Sequence, residues 1–171
     1  MSWFITVIGD SLKLLSLPDD SMRPRCLPGT RVAVLSFILQ WAANPSDKPI
    51  LWLWGLAGSG KSTISATIRD LLLESRHLGC SIVFSRDVDD LKRPELVIRR
   101  WAHSLAAFDS QIAKAIDEAL KEMPDIIDCP LKYQFTKLII EPLASIEPPW
   151  MEGPIVVIID ALDECGSITK R

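Results

Sequence analysis

Residues 55–63 read Gly-Leu-Ala-Gly-Ser-Gly-Lys-Ser-Thr, and Gly55 to Ser62 match the pattern G-x-x-x-x-G-K-[ST] without a departure. Each residue type has a chemical reason. Gly55, Gly58 and Gly60 let the backbone N–H groups of the loop, including those of Leu56, Ala57 and Ser59, turn inward around a phosphate with no Cβ in the way. A helix beginning at Lys61 adds the positive end of its dipole. Lys61 would reach the β- and γ-phosphates as a point charge. The Ser62 hydroxyl would bind Mg²⁺, and Thr63 would support the α-phosphate side. The bland alternative is a glycine-rich helix entry that binds nothing. A chance match in a chain this long is about a one-in-a-hundred event at ordinary residue frequencies, so the functional reading is the stronger.

A second cluster, Asp160-Ala161-Leu162-Asp163-Glu164, directly follows an apolar run. In a parallel sheet, ligands bind outside the carboxyl ends of the strands. An acidic cluster there lies where Mg²⁺ and an attacking water belong. Asp160 would hold the metal, usually through a coordinated water. Asp163 or Glu164 would orient or deprotonate the water that attacks the γ-phosphate, with Glu164 the preferred base. Alone, such a cluster is more often a solvated turn; the phosphate loop upstream reverses that weighting.

These groups need elements to hold them. Pro49 to Trp54 is a short apolar run bounded by breakers, as in a strand buried on both faces. After the loop, Ile64, Ile68, Leu71 and Leu72 recur at helical spacing over 61–76. Residues 79–85 form a second short strand pattern. Ile155 to Ile159, running into Asp160, is the strongest strand signal, rich in β-branched residues. Thr30 is the expected cap of a helix whose apolar face is Val34, Phe37, Ile38 and Trp41. The residues Asn44 to Asp47 would end it. Pro94 is placed to start a helix with Ile98, Trp101, Leu105 and Phe108 on one face. Asp109 can cap the next, whose face is Ile112, Ile116, Leu120 and Met123. A further helix carries Phe135, Leu138, Ile139 and Leu143, bent or ended by Pro142, and Pro148-Pro149 closes that region. In residues 1–30, Pro18, Pro24, Pro28 and Gly29 break any long element.

Bulk properties narrow the class. The chain has 171 residues, 48% apolar and 24% charged, with a net charge of −3. That suits one soluble domain with a sizeable core. No basic stripe appears, which disfavours nucleic acid as a partner. No apolar run is long enough to span a bilayer, and no signal-peptide pattern begins the chain. Cys26, Cys80, Cys129 and Cys165 lie far apart with only two histidines to help them. They read as reduced, mostly buried thiols of a cytoplasmic protein, without a disulfide framework or zinc site.

Residues 26–31 leading into 49–63, residues 81–87, and residues 155–165 together resemble the NACHT family of STAND-class signalling NTPases, particularly fungal members. The D-[AG]-L-D-E form at 160–164 is the most family-specific piece, and the resemblance covers about residues 26–166. It implies an α/β P-loop NTPase core with a parallel sheet, three of whose strands are visible, flanked by helices. The organisation expected is an N-terminal segment (1–30), a helix and linker (31–48) and the front part of the NTPase domain (49–171). It implies ATP or GTP as ligand, Mg²⁺, slow hydrolysis, and nucleotide-dependent homo-oligomerisation or association with full-length relatives in innate-immunity-like signalling. Thr30 and Arg31 become weak candidates for base contacts, with a cap or salt-bridge role at least as good. The later strands, sensor arginine and lid of the family do not follow. The expectation is therefore a truncated module whose first strand has an open apolar edge and whose catalysis is impaired.

Two other readings compete. A small P-loop phosphotransferase would need an arginine-rich lid, for which Arg86 and Arg99-Arg100 are the candidates; a solvated helix face explains the pair more simply. A non-catalytic fragment would act by protein–protein association through the open edge.

Overall fold

The computed structural model describes residues 2–12, 14, 23–44, 48–85, 94–146 and 153–165. In chain order these form α1 (Ser2–Ser11), α2 (Val32–Ala43), α3 (Lys61–Glu74), β1 (Leu78–Val83), α4 (Pro94–Phe108) and α5 (Ser110–Glu122). A 3₁₀ turn (Pro124–Asp128), α6 (Leu131–Phe135), a π turn (Thr136–Ile140), α7 (Glu141–Ala144), β2 (Val156–Asp160) and a 3₁₀ turn (Leu162–Glu164) follow. The chain is α/β and mostly helical. Its described sheet is one parallel pair, β1 beside β2. Parallel strands cannot be joined by a tight turn, and here the helices α4 to α7 lie between them in the chain.

The pairing runs from Leu78 opposite Val156 and Cys80 opposite Val157 to Val83 opposite Asp160. Gly79 is therefore an extra residue in β1, and a side chain there would run into Ile155. The bulge has a packing consequence, because a one-residue slip moves side chains to the other face. Leu78 packs with Val156 and Ile158 against α2 and α3 through Ala42, Ile64, Ile68 and Leu72. Cys80 and Ile82 instead join Phe84, Val97 and Trp101 on the α4 side. Helices thus cover both faces of the pair.

The largest core is helical. Ile8 and Leu12 of the N-terminal region meet Leu105, Ile112, Ile116, Leu138 and Ile139, all at most 1% exposed. Ile112, Ile116 and Leu120 lie one turn apart along α5, as expected, and Asp109 caps it by accepting from the Gln111 and Ile112 amides at 2.7 and 3.1 Å. Gln134 is buried and donates to the Ile127 and Cys129 carbonyls at 3.0 and 2.7 Å, tying α6 to the 3₁₀ turn. Pro142 has no N–H to offer the preceding turn. The helix widens into the π turn just before it and resumes as α7, so the proline reshapes the helix without ending it.

Several expectations are corrected. The run 50–54 carries no strand and stands outside the sheet. Ile50, Trp52 and Trp54 are 79%, 71% and 82% exposed. A doubly buried strand needs hydrogen-bonded neighbours and a helix on each face; β1 and β2 bond to each other instead. Two of the three expected core strands therefore form. Thr30 does not cap α2: its hydroxyl donates to the Leu27 carbonyl at 2.7 Å, and Arg31, at φ 55, takes the cap position without a side-chain cap bond. Residues 2–11 form a helix that the reading of 1–30 as breaker-rich did not anticipate. The expected features at 45–47, at Arg86 and Asp87, and at Pro148-Pro149 lie outside the described residues.

Candidate functional site

Ile64, Ile68 and Leu72 press α3 onto the inner face of the sheet and so fix where its first turn sits. Gly60 precedes that turn with φ 89, in the left-handed region that favours glycine, and Gly58 has φ 75. The Ile64 amide bonds to the Gly60 carbonyl at 3.0 Å, which starts the helix. The N–H groups of Lys61, Ser62 and Thr63 then have no acceptor within the helix. A Cβ built on Gly58 would meet nothing within 4 Å, so the loop is open on that side. Lys61 Nζ donates to the Gly55 and Leu56 carbonyls at 2.8 and 3.1 Å, which anchors its ammonium on the loop. Ser62 is exposed and Thr63 half-buried.

Asp160 ends β2 with its side chain only 11% exposed. Oδ1 accepts from the Ala161 amide at 3.0 Å and Oδ2 from Arg23 Nη1 at 3.1 Å. Ala161 adopts φ 55, an unusual left-handed conformation for a residue with a Cβ, and turns the chain into the Leu162–Glu164 turn. The Glu164 amide closes that turn on the Ala161 carbonyl at 2.8 Å. Asp163 is exposed and Glu164 half-buried.

The loop and the acids come from distant parts of the chain and are joined through residues 23–31. The two oxygens of Asp160 go to Arg23 and Ala161 rather than to Ser62. Arg25 pairs with Asp70 on α3, and the Cys26 amide donates to Thr67 Oγ1 at 2.9 Å, one turn nearer the loop. Arg31 Nη2 donates to the Ser59 carbonyl at 3.0 Å, and a Cβ on Gly60 would collide with its guanidinium. Burial alone would push the Asp70 carboxyl up, but Arg25 and Arg69 outweigh it and hold the group below the usual carboxylate range. Arg23, Thr67 and Asp70 were not singled out by sequence reasoning. No local signal marks them, since Arg23 and Asp160 are 137 residues apart.

The donor set is chemically compatible with a nucleotide phosphate and Mg²⁺: helix-terminal amides, an ammonium, a hydroxyl and a nearly buried carboxylate. Magnesium is ordinarily held by one or two carboxylates together with phosphate oxygens and water. Among the described residues there is no group of three His, Cys, Asp or Glu of the kind that forms an all-protein metal cage.

Other candidates serve the fold. Arg99 Nη2 donates to the Ile127 carbonyl at 2.6 Å, and Arg100 is 8% exposed. The pair is thus packed among helices, which replaces the solvated-face reading. No disulfide joins the four cysteines, and only Cys80 is fully buried, which corrects the expectation of mostly buried thiols. Burial pushes the Cys80 thiol up to about 11, against the opposing effects of a Ser104 hydrogen bond and the Arg100 charge. Among the described residues, no helix is long and apolar enough to cross a membrane.

Against known proteins, the family model described as Nephrocystin 3, N-terminal, matches residues 34–171. No curated protein and no solved structure matches the chain.

Proposed function

We propose a function for a chain that belongs to the Nephrocystin 3, N-terminal family: it binds a nucleoside triphosphate, ATP or GTP, with Mg²⁺, as the switch module of a NACHT-type signalling protein. The observation that carries this reading is the loop at 55–63. Left-handed Gly58 and Gly60 lead directly into the first turn of α3, with Lys61 anchored over the loop carbonyls. Such a turn aims backbone N–H groups and the positive helix end at an anion.

In this reading Gly55, Leu56, Ala57, Gly58, Ser59 and Gly60 wrap the phosphates with their backbone. Lys61 neutralises the β- and γ-phosphates, and Thr63 lies toward the α-phosphate. Ser62 and Asp160 would hold Mg²⁺, which when bound neutralises charge on the phosphate oxygens. Glu164, or Asp163 beside it, takes the proton of the attacking water and makes slow hydrolysis the expected activity.

The test is thermal unfolding with and without Mg-ATP, Mg-ADP and Mg-GTP, for wild type and Lys61→Ala. Ligand at 100 times its Kd should stabilise the wild type by about 2.7 kcal/mol. Lys61→Ala should lose most of that shift. An equal shift in both proteins, or none in a cooperatively folding wild type, would sink the proposal.

A second reading, association without catalysis, is favoured by one observation: Ile50, Trp52, Trp54 and Leu56 are all at least 71% exposed along one extended run. Contiguous apolar surface of this kind marks interaction sites.

A further inference from the structure

Residues 23–31 are fastened along α3 by polar contacts at successive levels. Arg25 holds Asp70, the Cys26 amide holds Thr67, and Arg31 holds the Ser59 carbonyl inside the phosphate loop. At the start of this strap, Arg23 Nη1 lies 3.1 Å from Asp160 Oδ2. The Arg23 side chain is 32% exposed and that of Asp160 only 11%. A carboxylate so nearly buried needs a cation or hydrogen-bond donors to offset its lost hydration. The Ala161 amide supplies one donor and Arg23 supplies the charge.

We infer that Arg23 is a built-in counter-cation for Asp160, and that the strap 23–31 is a latch that Mg²⁺ with nucleotide must displace at that carboxylate. This rests on the nucleotide reading above and adds a regulatory step to the same site. Asp160 Oδ2 cannot serve the guanidinium and a metal or metal-bound water at full strength together. Binding of Mg²⁺ with nucleotide therefore releases Arg23, and the strap is loosened at its Asp160 end. By reciprocity, whatever holds the strap down weakens Mg²⁺ binding by the same factor.

The experiment measures affinity for ATP and for GTP by titration calorimetry, each with Mg²⁺ and with EDTA, on wild type, Arg23→Gln and Arg23→Lys. A partly exposed ion pair is worth up to about fivefold in an equilibrium. Arg23→Gln should bind the Mg²⁺ complexes about two- to fivefold more tightly while its affinity in EDTA stays unchanged. Arg23→Lys, which keeps the charge, should stay near wild type. Hydrogen exchange of residues 23–31 should quicken in wild type on adding Mg-ATP, and in Asp160→Asn without any nucleotide. Equal Mg²⁺-dependent affinity in wild type and Arg23→Gln would overturn the latch while leaving nucleotide binding intact. So would exchange of 23–31 that ignores Asp160→Asn. No binding by any variant would overturn the nucleotide reading itself, and the latch with it.

Discussion

Gly60 carries two demands at once. Its φ of 89 lies where a side chain is strained, and the space its Cβ would take belongs to the Arg31 guanidinium. The second demand is soft, because the guanidinium is the far end of a flexible side chain. The first is not, since the left-handed conformation costs an L-residue roughly 1–2 kcal/mol. Gly60→Ala should therefore lower stability by about 1–2 kcal/mol in urea unfolding. It should also weaken any phosphate binding, because the loop can relieve the strain only by turning its amides away. A variant as stable as wild type would mean that the loop adopts another conformation in solution.

At the scale of elements, α1 meets a titrating group where it packs on α4. Ile8 and Leu12 are fully buried against the α4–α5 helices. The His103 ring, on α4, lies against Gly9 and is hydrogen-bonded to the Ile5 backbone. Burial lowers its pKa from 6.5, and the bond to Ile5 opposes this only in part. The unfolded chain thus binds more protons than the folded one in the window below 6.5. Stability contributed by neutral His103 is complete above that value and is lost as the pH falls toward the lowered folded value. The unfolding midpoint should drop between pH 7 and pH 5, and His103→Gln should flatten that part of the profile. A wild-type profile unaffected by the substitution would remove His103 as the cause.

For the molecule as a whole, apolar surface is unevenly distributed. The helices on the far side of the sheet close into a well-buried core, while residues 50–56 leave two tryptophans in solvent. A contiguous run of exposed apolar side chains is a surface for association. Trp52→Ser with Trp54→Ser should change monomer stability by no more than about 0.5 kcal/mol, as for surface substitutions. It should nevertheless lower the mass seen by light scattering at high protein concentration. A wild type that stays monomeric at every concentration, with and without nucleotide, would count against association through this run.

The glycine turn leading into a helix at Lys61 was legible in the sequence because it is local. Gly55 to Thr63 lie within one turn and the start of one helix, and the acids 160–164 lie at and just after the end of one strand, so neighbours in the chain are neighbours in space. Helical faces such as Ile112, Ile116 and Leu120, and the Asp109 cap, were legible for the same reason. The helix at Ser2–Ser11 was not anticipated, although Ile5, Ile8 and Leu12 recur at helical spacing. What the tertiary structure alone decided depends on partners far along the chain. The apolar run at 50–54 has the composition of a buried strand, yet whether it is one depends on a neighbouring strand to bond with, and β1 chose β2. The bulge at Gly79 depends on the register of that pairing. The charge that meets Asp160 comes from Arg23, because the strap lies along α3 and the packing of α3 on the sheet brings it beside the end of β2.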